Sequence, residues 1–208
     1  MLRHALSWLA AVLLFGNSPV HSETPARTLD EAASRLATVT SQDVREFSTQ
    51  DFGREQYTKA RSALVPANEA ETLLGKLRSE LGPGLIAFIG TQNSLAAVEP
   101  DGVELVVAEG KTQFDILRVA ATDAVNFGKQ TEDLIAVLQK WDAAFGIDIY
   151  QAETDSVQLR LKSLPADMKK FSKDVYEFCP DIVDQGTGSV RELRKAILRS
   201  HRLFLWWD

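Results

Sequence analysis

Between Thr131 and Asp208 the spacing of apolar residues switches repeatedly between about 3.6 and 2. This limits the segment to amphipathic helices alternating with half-buried strands. Leu134, Leu138, Trp141 and Phe145 form one helical stripe that Gly146 closes, and Thr131 with Glu132 and Asp133 supplies the capped, acidic first turn. Ile147–Tyr150 and Val157–Leu161 alternate about a Thr154-Asp155 turn and predict a hairpin. Pro165 opens a helix with Met168, Phe171, Val175 and Phe178 inside, and Pro180 forces its end. Ser189-x-x-Glu192 is a capping box for a last helix that buries Val190, Leu193 and Ile197. The final Leu203-Phe204-Leu205-Trp206-Trp207 has large apolar groups on both faces, which predicts a central strand covered on both sides.

Upstream the signals are sparser. Thr28-x-x-Glu31 and Asn68-x-x-Glu71 are capping boxes, the second opening a helix with the stripe Leu73, Leu74, Leu77 and Leu81 that Gly82-Pro83-Gly84 ends. Leu85–Ile89 reads as a buried strand. Leu95–Glu99 and Val103–Ala108 flank Pro100-Asp101-Gly102 and predict a first hairpin. Gln113–Ala121 fits a helix. The expectation is an α+β fold: a mainly antiparallel sheet built from two hairpins and a C-terminal strand, with helices packed on it and a helical N-terminal lead. Residues 23–67 read as that lead and a linker, and 68–208 as the α+β domain.

The first residues have three zones: basic Arg3, an apolar run over Ala5–Gly16, and a polar stretch ending Val20-His21-Ser22. This is the order of a secretory signal peptide, so residues 1–22 are expected to be cleaved and the protein to be periplasmic or secreted. The apolar run is too short to span a bilayer, which calls for roughly 20 residues, so no stable membrane anchor is expected after cleavage. Losing Arg3 from 23 bases leaves 22 against 29 acids, a net charge of −7. An acidic chain without a basic run argues against nucleic acid as a partner. The partner expected is a protein or a small ligand, and no cofactor is implied. Cys179 is the only cysteine, so no disulfide forms within the chain. His4 and His21 leave with the signal, and His201 is the one histidine left.

The segment Phe178-Cys-Pro-Asp-Ile-Val-Asp-Gln-Gly-Thr-Gly-Ser189, followed by a helix and a terminal Leu205-Trp206-Trp207-Asp208, resembles a bacterial family, domain of unknown function 4253. Thr122–Asn126 and the Thr131–Trp141 helix fit the same resemblance, which spans about Leu85–Asp208. The family implies a fold-sized unit and no activity.

The candidate functional residues cluster toward the C-terminus. Asp181 and Asp184, three apart in a glycine-rich loop, suit hard-cation binding or divided acid–base work, with Asp208 as a third carboxylate and His201 as a group titrating near neutrality. The bland alternatives are a turn cap, solvated carboxylates and a surface histidine. Gly186, Gly188 and Ser189 precede a helix and could hold an anion on backbone N–H groups, or simply form a loop and cap. Trp206 and Trp207 are either binding aromatics or core. Asp123 and Asn126 are candidate binding or loop-fixing groups. No nucleophile elbow, zinc-protease motif or paired Cys-x-x-Cys occurs. The sequence therefore favours a non-enzymatic interaction or ligand-binding module, with a carboxylate-based, metal-assisted hydrolase using the Asp181/Asp184 loop as the alternative.

Overall fold

The computed structural model describes residues 24–49, 56–90 and 102–208. Its helices are α1 (Leu29–Thr40), α2 (Ala70–Ser79), α3 (Asp115–Ala120), α4 (Thr131–Phe145), α5 (Met168–Phe178) and α6 (Val190–Ser200). A short 3₁₀ turn covers Val125–Phe127 and a π-helical turn Ile182–Thr187. The strands are β1 (Arg45–Ser48), β2 (Gln56–Val65), β3 (Leu85–Ile89), β4 (Val103–Glu109), β5 (Ile147–Ala152), β6 (Ser156–Leu161) and β7 (Arg202–Trp206). They form one sheet in the order β1-β2-β4-β3-β5-β6-β7. All neighbours are antiparallel except β3 and β5. The fold is α+β.

Helices α1 and α2 pack on one face, against Ala63, Val65, Ala87, Ile89, Leu105 and Val107. Helices α3–α6 cover the other face, where Phe88, Val106, Ile147, Leu159 and Leu203 are buried. Here Trp141 meets Phe171 and Phe178 edge-on, with ring centroids 5.2 and 5.4 Å apart. The edge-to-face arrangement favours the ring quadrupoles beyond simple area burial.

Several sequence-based elements are present with shifted details. The second hairpin is β5–β6, and a bulge at Tyr150 breaks its register. Thr28 caps α1 with Glu31 reaching back, and Ser189 caps α6. Asn68 does not cap α2, whose N-cap is Glu69 without a side-chain bond. Glu71, the expected partner in that capping box, instead binds Arg160 and Arg202. Helix α4 is capped at Gln130, one residue before Thr131.

Three placements differ more. The stretch 23–67, read as lead and linker, holds α1 but also β1 and β2, both in the sheet. Ala60, Ser62 and Ala63 are small enough to lie flat between covering layers, a pattern with little apolar signal. Of the first hairpin, Leu95–Glu99 lies outside the described residues, and β4 has β2 and β3 on its two sides. Gly102 tolerates φ +135° there, where a Cβ would sit 2.3 Å from the Val65 carbonyl oxygen. The terminal strand is not central. β7 is the last strand of the sheet, with Leu203 and Leu205 buried and Arg202 and Phe204 exposed. Its second large apolar face lies at an edge and not under a helix layer. The proposed signal segment, residues 1–22, is outside the described residues, and no helix among those described is long and apolar enough to cross a membrane.

Candidate functional site

The C-terminal motifs meet at one end of the sheet. Phe178 ends α5 with its ring 5.4 Å from that of Trp207, and its carbonyl accepts from the Trp207 indole Nε1–H at 3.2 Å. The Cys179 Sγ–H donates to the Trp206 carbonyl at 3.0 Å. Asp181, buried after Pro180, accepts the Asp208 backbone N–H at 3.0 Å. Gly186 lies against the Trp206 ring, and a Cβ there would approach Cη2 to 2.8 Å. From the other side, the Trp207 N–H donates to Asp155 in the β5–β6 turn. That turn is braced in its own right by Thr122 Oγ1 on the Glu153 carbonyl and by the Asp123 N–H on the Thr154 carbonyl. The result is a clasp that holds the chain end by three successive residues, Trp206, Trp207 and Asp208.

The clasp accounts for much of the polar chemistry of the motif. Asp181 points inward to Asp208, whereas Asp184 is exposed and accepts from the Tyr176 hydroxyl at 3.1 Å, which raises the Tyr176 pKa. Burial pushes the Cys179 thiol up to about 11, so the thiolate that would react is scarce. The Gly188 N–H is used by the Val183 carbonyl, and the Ser189 hydroxyl by the Glu192 N–H. Asn126 is exposed in the 3₁₀ turn. His201 caps α6 at φ +55° and is exposed. It precedes β7 while Asp208 follows it, roughly 20 Å away at about 3.3 Å per residue. His201 therefore does not join Asp181 and Asp208. Among the described residues no group of three His, Cys, Asp or Glu is placed to hold a metal ion.

The outer side of β7 is different. The His201 carbonyl accepts from Leu161 N–H and the Trp207 N–H donates to Asp155, so the odd-numbered residues of this segment turn their backbone groups toward β6. Arg202, Phe204 and Trp206 turn theirs outward. The edge is closed at both ends: Ser200 Oγ accepts from the Arg202 N–H, and Cys179 holds the Trp206 carbonyl. Between these, the Phe204 N–H and C=O and the Trp206 N–H have no partner among the described residues. Phe204 is 47% exposed, one of three large apolar side chains among the described residues that stand out from the surface. Its ring lies 4.9 Å from that of Trp206. An apolar groove of about 180 Å³, lined by Ile182, Leu193, Ile197, Leu203 and Trp206, runs beside the edge.

A family model described as Domain of unknown function (DUF4253) matches residues 104–208. The chain belongs to that family. The match holds the whole clasp and the β7 edge and leaves out β1–β3, α1 and α2. No curated protein and no solved structure matches the chain.

Two polar sites in this DUF4253 protein escaped the sequence reading. On the β5–β7 face, Arg78, Asp148, Arg160, Glu71 and Arg202 form an alternating ion-pair chain with links of 2.6–2.8 Å, and Arg160 lies over the Tyr150 ring. Its members are up to 131 residues apart, so no local pattern announces it. On β4, Glu104 is 3% exposed and bound by Arg45 at 2.9 Å and Ser62 at 3.0 Å through Oε1, while Oε2 has no hydrogen-bond partner among the described residues. Burial raises its pKa. The signal available was a single acid inside the apolar run Val103–Ala108. A wider cleft, of about 640 Å³, lies elsewhere, around Gly84 and Gly110. Arg27, Lys59 and Lys111 line it, and none has an ion-pair partner among the described residues.

Proposed function

We propose that this DUF4253 protein is an exported, non-enzymatic interaction module that engages its partner by strand addition at the outer edge of β7. The observation that carries this reading is the open Phe204 N–H and C=O and Trp206 N–H, beside the exposed Phe204 ring and an apolar groove. An added strand gains its main-chain bonds from the edge and its selectivity from side chains that reach the groove. The hydrolase alternative loses its motivation, because Asp181 serves the chain terminus, Asp184 faces Tyr176 and His201 sits at the far end of the strand. The test compares wild-type protein with Phe204→Pro as bait, followed by amide exchange on the recovered complex. Proline removes only an outward N–H, which an edge strand tolerates. Binding that Phe204→Pro abolishes, with the Phe204 and Trp206 amides protected in the complex, is the expected result. Full protection of both amides in the isolated monomer overturns the proposal.

The cleft at Gly84 and Gly110 favours a second reading, the binding of a small anionic ligand by Arg27, Lys59 and Lys111. Titration calorimetry with inorganic phosphate and with citrate tests it, and heats no larger for the wild type than for the Lys59→Ala/Lys111→Ala variant refute it.

A further inference from the structure

We infer that the partner at the β7 edge is a second copy of this chain, paired antiparallel across a two-fold axis at Phe204. The inference rests on the strand-addition reading and names the occupant. It follows from the inventory of free groups. The outward groups still open are the Phe204 N–H, the Phe204 C=O and the Trp206 N–H, and the Arg202 C=O holds only a 3.4 Å contact from Ser200. A two-fold axis at Phe204 sets each Phe204 N–H against the Phe204 C=O of the other copy. It also sets each Trp206 N–H against the opposite Arg202 C=O, because hydrogen-bonded pairs recur every second residue. The open set is thus complementary to itself, which is the condition for an isologous contact. The same pairs would also set each Arg202 N–H against the opposite Trp206 C=O, but within each copy these two groups already hold Ser200 and Cys179, so the pairing rests on the other four bonds.

The side chains agree with the same axis. Phe204 meets Phe204, an aromatic cross-strand pair that covers a ring now 47% exposed. Arg202 meets Trp206, so the arginines stand apart from each other and each faces an indole suited to a cation. Glu71 holds each Arg202 at 2.6 and 2.9 Å, so the cation arrives already balanced. The two seven-stranded sheets become one continuous sheet.

Sedimentation equilibrium and oxidative cross-linking test this. The wild-type chain is expected to reach twice its own monomer mass as its concentration rises. Phe204→Lys, which opposes like charges on the axis, is expected to stay monomeric with an unchanged circular dichroism spectrum. Phe204→Cys is expected to form a disulfide-linked dimer, since facing Cα atoms of such a pair lie about 5.5 Å apart. The wild type, whose only thiol is buried Cys179, is expected not to cross-link. A wild type that remains monomeric at millimolar concentration overturns the inference. So does a dimer that Phe204→Lys leaves intact and Phe204→Cys fails to link. In either case, Phe204 and Trp206 amides that become protected with a different bound protein preserve strand addition and reject only self-pairing. Amides already protected in the monomer reject both.

Discussion

Trp207 and Phe204 lie three residues apart in the same terminal segment, yet their surroundings are opposite. Around Trp207 the indole N–H and the backbone N–H have partners in α5 and the β5–β6 turn, and the buried ring meets Phe178 edge-on. Around Phe204 the ring is half-exposed and the backbone groups point to the open edge. The FCPD and WWD motifs therefore build the anchor, and the chemistry left for a partner is displaced onto the residues beside it. A motif that is specific in sequence can be specific for structural reasons.

The largest effect expected from this contrast is that of Trp207→Ala. It removes a buried ring and the indole bond together, and large-to-small changes of this kind cost roughly 3–5 kcal/mol. Urea denaturation measures the loss. Cys179 supplies a second readout, because a buried thiol with a pKa near 11 alkylates only when the clasp opens. Iodoacetamide labelling is expected to be slow in the wild type and to accelerate in Trp207→Ala. Equal labelling rates would show that the clasp does not protect the thiol.

Asp181→Ala comes next. It removes the acceptor of the Asp208 N–H, a part-buried hydrogen bond worth about 0.5–1.5 kcal/mol. Asp181→Asn keeps an acceptor oxygen and is expected to cost less. Equal losses for the two variants would mean that the carboxylate charge, not the hydrogen bond, is what the terminus needs.

Glu104 sharpens the comparison from the other side, since it is as buried as Asp181 but only half-partnered. Burial raises its folded-state pKa against the opposing pull of Arg45 and Ser62, so the folded state binds the proton more tightly than the unfolded chain. Its contribution to stability is complete below the ordinary glutamate range and is lost as pH rises through the raised value. The stability of Glu104→Gln relative to wild type is therefore expected to increase with pH. A constant difference between pH 4 and pH 8 would place the proton elsewhere.

The contrast also explains what could be read from the sequence. Local periodicity carried α1, α4–α6, β5 and β6, because each is an amphipathic element whose signal lies within a dozen residues. The clasp was visible as two motifs but not as one object, since Cys179 and Trp206 are 27 residues apart. β7 was misplaced because apolar groups on both faces signal burial on both faces, whereas here Phe204 faces solvent and Trp206 folds against Gly186. β2 gave almost no signal because Ala60, Ser62 and Ala63 are buried for their smallness. The Glu71–Arg160–Arg202 pairing imitated a capping box at its acidic member and led the helix cap astray by one residue.

The smallest expected effect is the most discriminating one. Phe204→Ala removes a ring that touches Trp206 but buries little, so it is expected to change the stability of the dilute monomer by no more than about 1 kcal/mol. Trp207→Ala, three residues on, is expected to cost several times as much. If Phe204 instead proves as costly as Trp207, its ring belongs to the fold, and the β7 edge loses its standing as a surface kept for a partner. If Phe204→Ala leaves the monomer intact but abolishes association, the two residues divide the segment between them. Trp207 then holds the strand in place, and Phe204 presents its edge.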